Sequence, residues 1–227
     1  GMLAEGRRKG NQLKAFDLCY GWWGLIKEWH DAAALRKSWT RMKDERPRNG
    51  AKFIRFLENH DLVQDEGTNR LDKVWGVPYI DAVLVSVFTL DGVPFLYNGE
   101  EFADISRNSL YAKWPIDWAA AETPAGRARY ALCRKLSALR KSEKALTKGE
   151  VVWLDNDASK AALSYVRTFG DERVLTAVNL SDKSVRLTLK EAGGAYAPLL
   201  VRGAAGNPPA ALTLEAYGFY VGKRAHP

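Results

Sequence analysis

The hydrophobic pattern of this chain changes character once, near Glu143, and that change constrains the fold more than any other feature. Before it, short apolar runs alternate with helical stripes. After it, short alternating segments follow one another, separated by turn residues. Such a chain folds as an α/β region followed by an all-β region. Its 227 residues give room for one large domain or two smaller ones, each with a core of its own.

In the first region, Met2-Leu3-Ala4-Glu5-Gly6 and Phe53-Ile54-Arg55-Phe56-Leu57-Glu58, followed by Asn59-His60-Asp61, each place ionisable groups at the C-terminal end of an apolar run. Both runs read as buried parallel strands. Ala15-Phe16-Asp17-Leu18-Cys19-Tyr20 and Val93-Pro94-Phe95-Leu96-Tyr97 read the same way. Helices are expected over residues 25–45, closed by Pro47 and Gly50, and over 125–140, where Leu132, Cys133, Leu136 and Leu139 share one side. A third helix carries Ile80, Val83, Leu84, Val87 and Phe88 at spacings of three and four, and Gly92 ends it. In the second region the segments 151–154, 162–167, 174–179, 185–189, 196–201, 212–215 and 219–221 read as strands. Asp155-Asn156-Asp157, Gly170-Asp171, Ser181-Asp182, Gly193-Gly194 and Gly206-Asn207-Pro208-Pro209 stand between them as turns. This spacing predicts an antiparallel sandwich. The boundary is placed between residues 142 and 143, giving units 1–142 and 143–227.

Composition removes several classes of function. The net charge of +7 raises the question of nucleic acid, but the bases are scattered and no run interleaves them with aromatics. A solvated basic surface is the reading, and no nucleic-acid partner is expected. The most apolar stretch, between Asp81 and Asp91, is too short to span a bilayer, so no membrane partner is expected. Cys19 and Cys133 belong to no metal-ligand spacing and read as two buried free thiols. No calcium loop is recognisable, and neither a metal nor a cofactor is expected. No secretory apolar segment opens the sequence, and Gly1 before Met2 reads as a cloning scar. The compartment stays open, with the cytoplasm favoured.

Taken in order, the motifs of this chain resemble those of the α-amylase family (glycoside hydrolase family 13). Leu3-Ala4-Glu5 resembles the end of that family's fifth barrel strand, and 15–20 resembles its sixth. Phe56-Leu57-Glu58-Asn59-His60-Asp61 resembles the seventh. Gly92-Val93-Pro94-Phe95-Leu96-Tyr97-Asn98-Gly99-Glu100-Glu101 resembles the eighth, and Pro115-Ile116-Asp117-Trp118 the stretch that often follows. Leu136-Ser137-Ala138-Leu139-Arg140 and Val178-Asn179-Leu180-Ser181 resemble the entry to, and interior of, the C-terminal β-sandwich. The resemblance implies the second half of a (β/α)8 barrel followed by an all-β antiparallel sandwich. It also implies an α-linked oligosaccharide or glucan as substrate.

Retaining hydrolysis of such a substrate needs a carboxylic acid to protonate the leaving oxygen and a carboxylate to attack the anomeric carbon. The resemblance makes Glu5 the acid and later the base for water. It makes Asp61 the carboxylate that binds sugar hydroxyls and supports the cationic transition state; an N-cap is the plainer use of an Asp after a strand. His60, with Asn59 beside it, would bind hydroxyls of the sugar being cleaved. Trp22 and Trp23 either stack on sugar rings or pack. Tyr97 and Glu100 read as builders of the rim. The family's nucleophile is an Asp on the fourth strand, and no segment here matches that motif. The resemblance therefore implies that a second copy, or a separate N-terminal half, completes the barrel and its open strand edges. The other reading is a non-catalytic, carbohydrate-binding or structural protein.

Overall fold

The computed structural model describes residues 32–43, 54–60, 63, 70–107, 109, 113–189, 193–208 and 211–224. The strands expected at Met2–Gly6 and at 15–20 lie outside these residues, as do Glu5, Trp22, Trp23, Asp61 and Cys19. Of the helix expected over 25–45, residues Ala32–Lys43 (α1) are described.

The α/β region then runs β1 (Ile54–Arg55), α2 (Leu71–Trp75), α3 (Val77–Thr89), β2 (Val93–Pro94) and α4 (Pro124–Ser142). β1 and β2 pair in parallel, Ile54 opposite Val93 and Arg55 opposite Pro94. Both are shorter than the apolar runs suggested, because only these residues share ladder bonds. The bond from Phe95 N–H to Arg55 O, at 2.8 Å, extends the contact by one residue. Gly76, with φ of 86°, turns the chain between α2 and α3, and Pro78 occupies the first turn of α3, where no amide donor is needed. α4 begins where the Thr123 hydroxyl accepts the Gly126 N–H at 2.9 Å. Gly126 is required by contact: a β-carbon there would lie 2.0 Å from Ala120 O.

The periodicity of α3 suggests one apolar stripe, yet the helix is buried on every side from Tyr79 to Thr89. One side faces the parallel strands, α2 and α4. Another faces the β region, where Leu163, Tyr165, Val174, Val178, Phe219 and Val221 join the same core as α3. Two buried arginines close the C-terminal end of α3. Arg140 donates to Phe88 O at 2.7 Å and Leu90 O at 3.2 Å, and Arg167 to Thr89 O at 2.7 Å. Cations at a helix C-terminus complement its dipole. Burial, then the nearby Arg167 charge, lowers the Arg140 pKa to about 10.

After the short helix α5 (Lys144–Lys148) come β3 (Glu150–Trp153), β4 (Ala162–Phe169), β5 (Glu172–Asn179), β6 (Val185–Leu187), β7 (Tyr196–Asn207) and β8 (Ala211–Arg224). All of their pairings are antiparallel. The strands form one sheet, ordered β3-β4-β5-β8-β6 with β7 also on β8. The expected antiparallel sandwich is consistent with this arrangement, built by curling a continuous sheet. The segments 212–215 and 219–221 are one strand. Its C-terminal part pairs with β5, Val178 opposite Phe219, and its N-terminal part with β6, Leu187 opposite Leu212. The sheet curls at a bulge between Arg202 and Ala204 of β7. There Gly203 and Tyr217 both have φ of 55°, and a β-carbon on Gly218 would lie 2.5 Å from Gly203 O. The curl brings Leu212 and Leu214 over Leu175, Ala177, Leu187 and Tyr220, closing a second apolar core.

Among the described residues no helix is long and apolar enough to cross a membrane, and no group of three or more His, Cys, Asp and Glu side chains could hold a metal ion. Cys133 is a free, buried thiol, and burial pushes its pKa up to about 12.

Candidate functional site

Where β1 and β2 end side by side, their exits form a rim with a buried ionic floor. Beyond β1 the chain passes through Phe56, Leu57 and Glu58, all buried, to buried Asn59 and exposed His60. Of the three residues expected to bind the sugar at this strand end, Asn59 and His60 are placed at the exit of β1, and Asp61 lies outside the described residues. Tyr97, Asn98, Gly99 and Glu100 leave β2 beside them.

Arg70 ties the two exits together. It is 2% exposed, and it donates to Glu58 Oε2 at 2.8 Å and to Asp104 Oδ2 at 3.2 Å. Its guanidinium also lies 5.9 Å from the centroid of the Tyr97 ring. Glu58 is held a third way, accepting the Leu71 N–H at 2.6 Å. Asp104 accepts the Ser106 N–H at 2.8 Å and its hydroxyl at 2.7 Å. Gly99, with φ of 86°, makes room for this floor: a β-carbon there would lie 2.9 Å from Asp104 Cβ and 3.2 Å from Arg70 Nη1. That contact gives the glycine of the second motif a physical reason.

Glu100 accepts the Tyr97 N–H at 2.9 Å through Oε2 and is fully buried. Its Oε1 has no hydrogen-bond partner among the described residues. Burial, then the nearby Glu58 carboxylate, raises its pKa well above the ordinary glutamate range. Glu58 is raised as well, by burial opposed by Arg70. A buried carboxyl with a raised pKa and an ionic clamp thus lie under the rim, and neither is open to solvent.

A second cluster anchors the floor to the rest of the molecule. Arg129 of α4 is fully buried and binds Asp72 through two nitrogens, at 2.6 and 3.1 Å. It also pairs with Asp81 and donates to Glu100 O at 3.1 Å. Asp81 pairs in turn with Arg202 of β7, which donates to Pro78 O at 3.1 Å. Burial raises the Asp72 pKa, against the pull of Arg129. Sequence reasoning missed Arg70, Asp72, Asp81, Asp104 and Arg129. One signal was present: Arg129, Leu132, Cys133, Leu136 and Arg140 recur at three and four, so two bases lie on the apolar face of α4.

A parallel strand pair with polar residues at its C-terminal ends, joined to a curled antiparallel sheet, defines a β/α scaffold with an appended β domain. Residues 152–221 match the family model for the maltogenic amylase C-terminal domain. The chain is 30% identical over 137 residues to a cyclomaltodextrin glucanotransferase of Bacillus sp. (strain 1-1), covering 60% of this chain and 18% of that protein. It is 28% identical over 165 residues to a cyclomaltodextrinase of Geobacillus thermopakistaniensis (strain MAS1), covering 70% of this chain and 28% of that protein. The noncanonic maltogenic α-amylase from Thermotoga neapolitana shares the fold with a TM-score of 0.72 at 19% identity, over 91% of this chain and 50% of that one. The trehalose-6-phosphate hydrolase of Bacillus licheniformis gives 0.68 at 16%, over 86% and 47%. The chain thus spans less than a third of these curated relatives and about half of these solved chains. Its similarities are to α-amylase-family (glycoside hydrolase family 13) enzymes and, over residues 152–221, to the C-terminal domain of maltogenic amylases.

Proposed function

We propose that this chain forms the C-terminal portion of a retaining α-glucan glycoside hydrolase or transglycosylase. In this reading residues 1–142 belong to the second half of a catalytic β/α barrel and 143–227 to its β domain. The observation that carries the proposal is the parallel pairing of β1 with β2, which sets Asn59 and His60 beside the Tyr97–Glu100 turn in the family's motif order. The glucan-processing names of the relatives support the substrate class.

The chemistry follows from the residue types. Glu5 gives its proton to the glycosidic oxygen as the bond breaks, then takes one from water. Asp61 and His60 bind hydroxyls of the distorted sugar, and that binding strengthens as positive charge develops. The attacking carboxylate comes from a strand whose motif this sequence does not contain, so turnover requires a second segment. Water or a second sugar resolves the covalent intermediate, giving hydrolysis or transfer.

The test is turnover of a chromogenic maltooligosaccharide by the chain alone and by the chain co-expressed with the first four barrel strands of a family relative. Turnover is expected only from the pair and is expected to vanish with Glu5→Gln. Turnover by the chain alone that survives Glu5→Gln contradicts the proposal.

A further inference from the structure

A cavity of about 300 Å3 lies between α1 and the β3–β4 connection and shares no residue with the rim. Its size falls at the lower end of small-molecule sites, which run from roughly 300 to 1,000 Å3. Trp153, Leu163, Arg36, Asp155, Asn156 and Ser159 contribute to its lining.

The wall is rigid. Trp153 meets the rings of Trp39 and Tyr165 edge-on, with centroids 5.4 and 5.1 Å away. Asn156 is fixed at both ends of its amide. It accepts the Ala158 N–H at 2.9 Å and donates to Ser164 Oγ at 2.8 Å and Ala162 O at 3.2 Å. The floor is therefore formed before any ligand arrives, which lowers the ordering cost of binding.

The charges at this cavity cancel. Arg36 Nη1 lies 2.5 Å from Asp155 Oδ1, and their side chains are 37% and 82% exposed. A balanced pair gives neither an anion nor a cation a net attraction. It does offer guanidinium donors and carboxylate acceptors within one reach, the set that vicinal hydroxyls use. Aromatic and aliphatic wall atoms beside it suit the C–H faces of a pyranose ring. A neutral polyhydroxylated ring is the ligand this mixture fits.

We propose that this cavity binds glucosyl units of an α-glucan, at a site separate from the strand rim. The choice of glucan rests on the function proposed above. Such a site holds polymer on the protein independently of cleavage.

Maltoheptaose titrated into the whole chain by calorimetry tests this, with Arg36→Ala, Asp155→Ala and His60→Ala as variants. Exposed ion pairs contribute little to stability, so the first two variants stay folded, which thermal unfolding verifies. The expected result is measurable binding that falls roughly ten-fold or more in both cavity variants, while His60→Ala removes at most a separate rim component and leaves the Arg36-dependent one. Absent binding, or binding lost in His60→Ala but kept in both cavity variants, overturns the proposal. Binding that depends on Arg36, in a chain that gives no turnover when co-expressed with the missing strands, supports the cavity and contradicts the enzymatic reading.

Discussion

The two regions of the molecule are held together by different physics. Beneath the rim, buried charges do much of the organising: Arg70 with Glu58 and Asp104, and Arg129 with Asp72 and Asp81. Inside the curl of the sheet the contacts are apolar, with Leu175, Leu187, Leu212 and Leu214 packed under Tyr220. An apolar core tolerates shape-conserving exchange. A buried ion pair does not, because removing one partner strands the other in a medium that cannot solvate it. The rim therefore has a defined shape at the cost of fragility, while the curled sheet tolerates exchange in its core. Placing the precise geometry beside Asn59 and His60 is consistent with a binding role there, since preorganised sites need neighbours that cannot drift.

Substitutions sharpen this contrast. Arg129→Leu should have the largest effect, since it leaves Asp72 and half of the Asp81 pairing without a cation. A loss of about 3–5 kcal/mol is expected by urea unfolding. Leu175→Ala, in the apolar core, should lose about 3 kcal/mol through transfer and cavity terms. A loss for Arg129→Leu well below that of Leu175→Ala would erase the distinction between the regions. Arg202→Ala should cost no more than about 1 kcal/mol, because this arginine is partly exposed and Asp81 keeps Arg129.

The smallest effect at acid pH comes from Glu100→Gln. The folded-state pKa of Glu100 is raised. Its contribution to stability is therefore fully present below the ordinary glutamate pKa and is lost as pH rises through the folded value. The variant removes that loss. Melting temperatures of the two proteins should lie close together in acid, and the variant should gain on the parent as pH is raised above the ordinary glutamate range. Parallel melting curves across that range would show that Glu100 ionises freely and that the floor is wetter than the structure indicates.

The two regions also differ in how legible they were. β4 and β5 are plain in the sequence because alternate residues serve two cores: Leu163 and Tyr165 face α3, while Ala162 and Val166 face the curl. β8 read as two strands because Glu215-Ala216-Tyr217-Gly218 breaks the alternation, and that break is the bulge that curls the sheet. Asn59, His60 and the Tyr97–Glu100 turn were legible as motifs on strand ends. The ionic floor was not, because Arg70, Asp104 and Asp72 are polar residues in polar stretches, and only the fold brings them together. Asp81 looked like the flank of an apolar helix, and nothing local announces that Arg129 and Arg202, far along the chain, neutralise it. Glu5, Asp61, Trp22 and Trp23 stay as expectations of sequence.

Under the proposed function this chain supplies the acid and the sugar-binding rim, while the nucleophile belongs to another segment. An activated fluoroglucoside that traps the covalent intermediate of retaining enzymes tests it directly. The chain would be co-expressed with the missing strands, labelled, and both polypeptides weighed by mass spectrometry. One glucosyl adduct is expected on the added segment and none on this chain. An adduct on this chain would contradict it.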